Sequence, residues 1–488
     1  MAITFGTDGW RAVISDTFTF ENVQAVSQAI ADAIATDEWE KLSKVDSIPH
    51  KDLVVVGYDT RFMSNVYAQE VSRILAANGY HVMYSQTYSP TPIVSFAVKN
   101  LGAVAGVMIT ASHNAPRYNG IKVKAAYGGA ALPEQCDIVE ACLHANEEKG
   151  IKPKMMSFAD AKAQGLIETF NPLTAYGEHI HKLINFNIIA DHSARMRIVV
   201  DSMYGSGRGI INYLLAGTGA EVNEIRNEVN PGFGGIHPEP IARFLGASAA
   251  AIGAGQGFFG LSTDGDADRT GAMDDRGVFV DPHKIMALSA KYLHEVRGLD
   301  GALVRTVSTT RMIDRIGKKY GLPVFETPVG FNHISDHMME RDVLIGGEES
   351  GGISFKGHIP EGDGIIMGLL MAEMVAYANK PLSEMVNDLL KEFGPAYYDR
   401  TDQRLARPVA KKEMIKYLTD NAPKEIGGVG VAEISTIDGV KYIMDDDSWL
   451  LIRPSGTEPV LRVYAEGRTE QLTKDLLGYG NVVAEAVK

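Results

Sequence analysis

Apolar runs of strand length alternate with helical periods along most of this chain, and that alternation is what most restricts its fold. Residues 53–57 read as a short Val-rich strand, 65–78 as an amphipathic helix closed by Gly79, 81–84 as a strand and 103–110 as another. Strands that are apolar throughout, separated by helices, predict parallel βαβ units buried on both faces. The same order recurs over 197–225 and again over 302–345, with no close sequence repeat. A polar stretch over 149–169 predicts a link after the first unit, and the turn at 274–277 a second boundary. Phe393-Gly394-Pro395 closes a helix, and the pattern after it is α+β. At roughly 150 residues per domain, 488 residues suit three or four. The predicted fold is α/β, with domains at 1–160, 161–276 and 277–394 as mixed α/β sheets, and a smaller α+β domain at 395–488.

Charge narrows the partners. Lys plus Arg number 47 against 61 Asp plus Glu, a net charge of −14. Such a chain is a poor general binder of nucleic acid or of an anionic membrane. No apolar targeting segment follows Met1, and the apolar stretch over 365–378 is too short to span a bilayer. Cys136 and Cys142 match no metal-site spacing and make no disulfide framework. A cytoplasmic protein with neither nucleic-acid nor membrane partners is expected.

Four polar loops each follow an apolar strand-like run, where open α/β sheets bind ligands. Thr110-Ala111-Ser112-His113-Asn114 offers a nucleophile or phosphoryl carrier in Ser112, without the Gly-x-Ser-x-Gly elbow of a hydrolase. Asp264-Gly265-Asp266-Ala267-Asp268-Arg269 sets three carboxylates at alternate positions, which suits one hard cation such as Mg²⁺. Gly346-Gly347-Glu348-Glu349-Ser350-Gly351-Gly352 frames carboxylate and hydroxyl groups with glycines and suits the hydroxyls of a sugar. Arg453-Pro454-Ser455-Gly456-Thr457 is an anion cradle without the Lys of a nucleotide-binding loop. Each loop alone is also readable as a plain surface turn. Together they point to phosphoryl transfer on a phosphorylated sugar or polyol.

With these four loops in this order, the sequence resembles the α-D-phosphohexomutases, the phosphoglucomutase and phosphomannomutase family. The resemblance runs from Phe5-Gly6-Thr7-Asp8-Gly9-Trp10-Arg11 to Leu461-Arg462-Val463-Tyr464. It implies four domains around a central cleft and a Mg²⁺-dependent mutase acting on small sugar phosphates, with a hexose 1,6-bisphosphate as activator. Ser112 would be the phosphoserine and would join Asp264, Asp266 and Asp268 at the metal. His113, Lys122 and Arg11 would complete the catalytic set, Lys122 as acid/base. Arg269, Gly330, Glu348, Ser350, Arg453, Ser455, Gly456, Thr457 and Arg462 would bind substrate. The chain departs from the family pattern at Asn332 and Gly362, where relatives usually carry basic residues. Glu348-Glu349-Ser350 resembles the loop of glucose-specific relatives, so the expected function is a phosphoglucomutase, as monomer or homodimer. A phosphomannomutase or dual-specificity mutase is the alternative enzyme, and a weakly catalytic sugar-phosphate-binding regulator the alternative of another class.

Overall fold

The computed structural model describes residues 3–6, 9–405, 410–454 and 460–486. The chain divides into two compact units. The first comprises Met1–Ile285, Met338–Glu340 and Ser350–Ser383; the second comprises Met286–His337, Arg341–Glu349 and Glu384–Lys488.

Two sheets build the first unit. One holds β1 (Trp10–Val13), β2 (His50–Tyr58), β3 (His81–Ser85), β4 (Ala103–Ile109), β5 (Tyr118–Ala125) and β6 (Ile167–Phe170), in the order β1-β5-β4-β2-β3-β6. Strands β4, β2, β3 and β6 run parallel, while β5 pairs antiparallel with both β4 and β1. Alternation along β2 explains its two-sided burial. Val54 and Val56 join the core beneath the helices Phe20–Ile34 and Ser64–Ala77. Val55 faces the other way, onto Val94 and Val98 of the helix Thr91–Leu101. The expected link over 149–169 is only partly a link, because β6 adds to this sheet beyond residue 160.

The second sheet holds β7 (Arg197–Asp201), β8 (Glu221–Ile225), β9 (Phe259–Thr263), β10 (Thr270–Met273) and β11 (Phe279–Val280), in the order β11-β10-β9-β7-β8. The turn at 274–277 exists, but it joins β10 to β11 as a hairpin and so lies inside this sheet rather than after it. The expected buried helix over 365–378 is Gly364–Ala378, and it packs on β9 and β10. The third region is therefore divided, since Ser350–Ser383 clusters with the first unit.

In the second unit, β12 (Ala302–Thr306) lies between β13 (Val324–Thr327) and β14 (Val343–Gly347), all parallel. The C-terminal part is a six-stranded antiparallel sheet running from Tyr397–Arg404 to Val460–Gly467, closed by the helix Glu470–Ala486. Its buried Trp449, Leu451 and Tyr464 pack against Val307. Among the described residues, no helix is long and apolar enough to cross a membrane.

Candidate active site

Ser112 lies beyond the carboxyl end of β4. It adopts a left-handed backbone, φ 50°, and Thr110 Oγ1 accepts its N–H at 2.9 Å. Asn114 N–H closes the turn on the Ala111 carbonyl. The Ser112 hydroxyl is buried and donates to Asp264 Oδ2 at 2.9 Å, and His113 Nδ1 lies 3.3 Å from Ser112 Oγ. Arg11, on β1, donates to Asn114 Oδ1 at 2.8 Å.

Asp264 belongs to the loop that joins β9 to β10 as an antiparallel hairpin. Ala267 takes a left-handed φ of 58°, which turns the hairpin so that Asp264, Asp266 and Asp268 each direct a carboxylate oxygen to one place, all within 4.8 Å. Gly265 allows the approach to the serine loop, because a Cβ there would stand 2.5 Å from the Ser112 carbonyl oxygen.

Lys122, on β5, reaches into this cluster. Its Nζ lies 3.0 Å from Asp266 Oδ2 and 2.8 Å from Asp268 Oδ2. Thr91 donates its hydroxyl to Asp266 Oδ2 at 2.6 Å. Arg269 donates its backbone N–H to Asp264 Oδ1, and its guanidinium stands 3.7 Å from Glu239. Burial, with the like charges of Asp268 and Asp266, holds the Asp264 carboxyl well above the usual carboxylate range. Burial alone would raise Asp266 too, but the Lys122 ammonium and the Thr91 hydroxyl hold it well below that range. Asp266 Oδ1 and Asp268 Oδ1 are buried and have no hydrogen-bond partner among the described residues. Unsatisfied carboxylate oxygens converging in a buried place suit a hard divalent cation such as Mg²⁺.

The sugar- and phosphate-binding candidates fall mostly in the second unit. Gly330 N–H donates to Glu348 Oε1 at 2.9 Å. Arg453 and Arg462 are paired across neighbouring strands, and Arg453 Nε donates to Asp438 Oδ2 at 2.6 Å. Asp438 also accepts the Val329 N–H, which ties the arginine pair to the Gly330 turn. Ser350 falls in the first unit, next to Gly351, whose carbonyl accepts the Thr270 N–H at 3.0 Å. Ser455, Gly456 and Thr457 lie outside the described residues. Arg11, Ser112, His113, Lys122, the three aspartates and Arg269 thus come together in one unit, while Gly330, Glu348, Arg453 and Arg462 gather in the other.

Asn332 is buried. Gly362, where relatives usually carry a basic residue, is packed against backbone. A Cβ there would stand 2.7 Å from the Asp268 carbonyl oxygen and 2.9 Å from Gly352 Cα, both backbone atoms. That position holds a backbone-to-backbone contact, and a basic side chain has no room in it.

Sequence reasoning missed Arg61. It is buried, and it donates to the carbonyl oxygens of Ser112, Asn114, Ala115 and Tyr118. Its signal was available, because Asp59-Thr60-Arg61 follows the apolar β2 as the other polar clusters follow their strands. Arg400 was missed as well. Its guanidinium stands 3.7 Å from Glu349, whose other oxygen accepts the Ser308 hydroxyl.

Comparison with known proteins identifies the family. Residues 2–150, 174–277 and 281–393 match the phosphoglucomutase/phosphomannomutase alpha/beta/alpha domains I, II and III, and residues 405–478 match the C-terminal domain of the same family. A phosphoglucomutase/phosphomannomutase of Thermococcus kodakarensis is 29% identical over 489 residues, covering 100% of both chains. A phosphoglucosamine mutase of Methanocaldococcus jannaschii is 30% identical, over 89% of this chain and 92% of its own length. A crystal structure from Thermus thermophilus, described as a phosphomannomutase, superposes with a TM-score of 0.83 at 34% identity, covering 99% of each chain. With all four domains matched in order, the chain belongs to the α-D-phosphohexomutases, a family of mutase enzymes.

Proposed function

We propose that this enzyme is a phosphoglucomutase, interconverting α-D-glucose 1-phosphate and glucose 6-phosphate through phosphorylated Ser112 and a hexose 1,6-bisphosphate. The observation that carries the reading is the Ser112 hydroxyl, aimed at Asp264 Oδ2 at 2.9 Å beside three converging carboxylates. In the forward direction the phosphorus–Oγ bond of phospho-Ser112 breaks as O6 of glucose 1-phosphate bonds to phosphorus. The O6 proton leaves to a base, and Oγ takes up a proton. His113 Nδ1, 3.3 Å from Oγ, would exchange that proton, with Lys122 as the second acid/base candidate. The bisphosphate turns over and returns its other phosphoryl group to Oγ. Asp264, Asp266 and Asp268 would hold Mg²⁺, which would neutralise charge on the transferring group. Arg453 and Arg462 would clamp the phosphate that does not react, and Glu348 would read sugar hydroxyls.

The relatives named for phosphomannomutase and phosphoglucosamine mutase activity support a second reading, in which the preferred sugar is mannose or glucosamine. Turnover of glucose, mannose and glucosamine 1-phosphates by the same preparation separates them. A kcat/KM for glucose 1-phosphate at least tenfold above the others is the expected result, and a reversed ranking removes the glucose assignment.

A further inference from the structure

Arg61 gathers the serine loop around one buried charge. Its Nη2 donates to the carbonyl oxygens of Ser112 at 2.5 Å and Asn114 at 2.6 Å, and its Nη1 to those of Ala115 at 3.0 Å and Tyr118 at 2.9 Å. Its Nε lies 3.2 Å from Asp59 Oδ2. Asp59 is in turn fixed by the Thr110 hydroxyl at 2.6 Å and the Ser64 hydroxyl at 2.8 Å. The buried ring of Phe233 covers the guanidinium, with its centroid 4.9 Å from Cζ. Phe233 precedes Pro238, whose carbonyl accepts the Gly265 N–H of the metal loop at 3.1 Å. One side chain therefore joins the serine loop to the segment that lies along the metal loop.

This arrangement answers a local problem. Ser112 has a positive φ, a conformation that a side chain makes unfavourable and that persists only when its surroundings impose it. Four carbonyl oxygens aimed at one point would also repel one another without a cation between them. A planar guanidinium with five fixed donors meets that geometry, and a lysine ammonium does not.

We propose that Arg61 is a positioning residue for phosphoryl transfer: it imposes the backbone of residues 112–118 that presents Ser112 Oγ to Asp264, without touching substrate. The inference rests on Ser112 being the phosphoryl carrier. Small displacements of a reacting atom can lower a rate about 100-fold. Arg61→Lys, shown folded by its melting curve, is expected to lower kcat for glucose 1-phosphate by about 100-fold while KM and the Mg²⁺ requirement stay near those of the parent. Single-turnover phosphorylation of Ser112 by glucose 1,6-bisphosphate, followed by intact mass, is expected to slow by the same factor. A folded Arg61→Lys enzyme with the kcat of the parent overturns the proposal, as does a loss confined to KM. Should Arg61→Lys fail to fold, Phe233→Leu decides. It removes only the ring over the guanidinium, so a several-fold loss of kcat at unchanged KM supports the role and parental kinetics overturn it. A parent that turns over no hexose phosphate overturns the functional reading and this inference with it. An active parent beside an equally active variant overturns only the role of Arg61.

Discussion

Ser112 is held by its neighbours more than it holds them. Its backbone is fixed by Thr110 and by the contacts its carbonyl makes, while its hydroxyl donates to Asp264 and lies 3.3 Å from His113 Nδ1. Ser112→Ala keeps the backbone contacts and loses the bond to Asp264 together with the His113 contact. A hydrogen bond to a charged group is worth about 1.5–3 kcal/mol, an upper bound here, because Asp264 is a carboxylate that burial and its neighbours already press toward the neutral form. The variant is therefore expected to fold and to lose mutase turnover, together with any phosphoryl adduct seen in the intact mass of the parent. A Ser112→Ala protein that turns over glucose 1-phosphate at the parental rate removes Ser112 as the carrier. The strand-end position of Ser112 and the alternate spacing of the aspartates were legible in the sequence because both are local patterns. Arg61 was harder to see, since its carbonyl partners lie 51 to 57 positions further along the chain.

Elements far apart in sequence brace the loop of Asp264, Asp266 and Asp268. The Gly364 N–H donates to the Ala267 carbonyl at 3.0 Å, and the Thr270 N–H to the Gly351 carbonyl at 3.0 Å. Between these two ties, Gly362 lies against the Asp268 carbonyl. Glu361 accepts from Lys124 at 2.8 Å and from Ser95 at 3.0 Å, which anchors the segment to the first sheet. Asp363 caps the helix Gly364–Ala378 and accepts from Tyr176 at 2.7 Å. Family pattern suggests a missing cation at position 362, whereas the packing there shows a brace that needs glycine. Gly362→Arg is accordingly expected to weaken Mg²⁺ binding and to lower the melting temperature, with no gain in KM for glucose 1-phosphate. Overpacking of this kind costs about 1–3 kcal/mol. A stable variant with a lower KM would return position 362 to the phosphate site. In the second unit, a buried charge cluster joins β12 and β13 to the C-terminal sheet. Glu326 accepts from both Arg305 and Lys441, and Lys441 also donates to the Val307 carbonyl. Burial alone would raise Glu326, but Arg305 and Lys441 bring it down to about 2. Lys441 moves the other way from an ordinary paired lysine, down to about 8, because burial and the nearby Arg305 outweigh Glu326. The Glu326 contribution is present above its unfolded value near 4.5 and is lost as pH falls from there to about 2, an effect of about 3 kcal/mol. Glu326→Gln should therefore lower stability at neutral pH and flatten the acid limb. Urea midpoints at pH 6 and pH 3 check this, and an unchanged difference between them contradicts it.

At the scale of the molecule, the loop of the three aspartates is where the first two sheets meet. Asp264, Asp266 and Asp268 leave the second sheet, while Ser112, Lys122 and Thr91 reach them from the elements of the first. The alternation of strands and helices made both sheets legible, because it is a property of each segment alone. Their limits were not legible, because β6 and the hairpin of β10 and β11 are defined by partners distant in the chain or beyond a turn that looks like a boundary. The same holds for Ser350–Ser383, which interrupts the second unit in sequence and clusters with the first. A site built across two sheets links ligand binding to the stability of both. Binding at 100 times the dissociation constant stabilises a fold by about 2.7 kcal/mol. Mg²⁺ is therefore expected to raise the unfolding midpoint of the protein, and exhaustive chelation to lower it and to abolish turnover. Asp264 fixes the sign of the companion variant. Its carboxyl is held well above the usual range by burial and by Asp268 and Asp266, so without metal its ionised form costs stability above that raised value, and the cost is relieved as pH falls toward 3.8. Asp264→Asn removes the like charge and keeps the shape. It is expected to leave the metal-free protein as stable as the parent or more so, and to lose both turnover and the Mg²⁺-dependent rise in midpoint. Thermal melts of both proteins with and without Mg²⁺ decide it: a metal-free Asp264→Asn protein that melts well below the parent, or one whose midpoint still rises with Mg²⁺ as the parent's does, would mean that this carboxylate is structural and that the cation sits elsewhere.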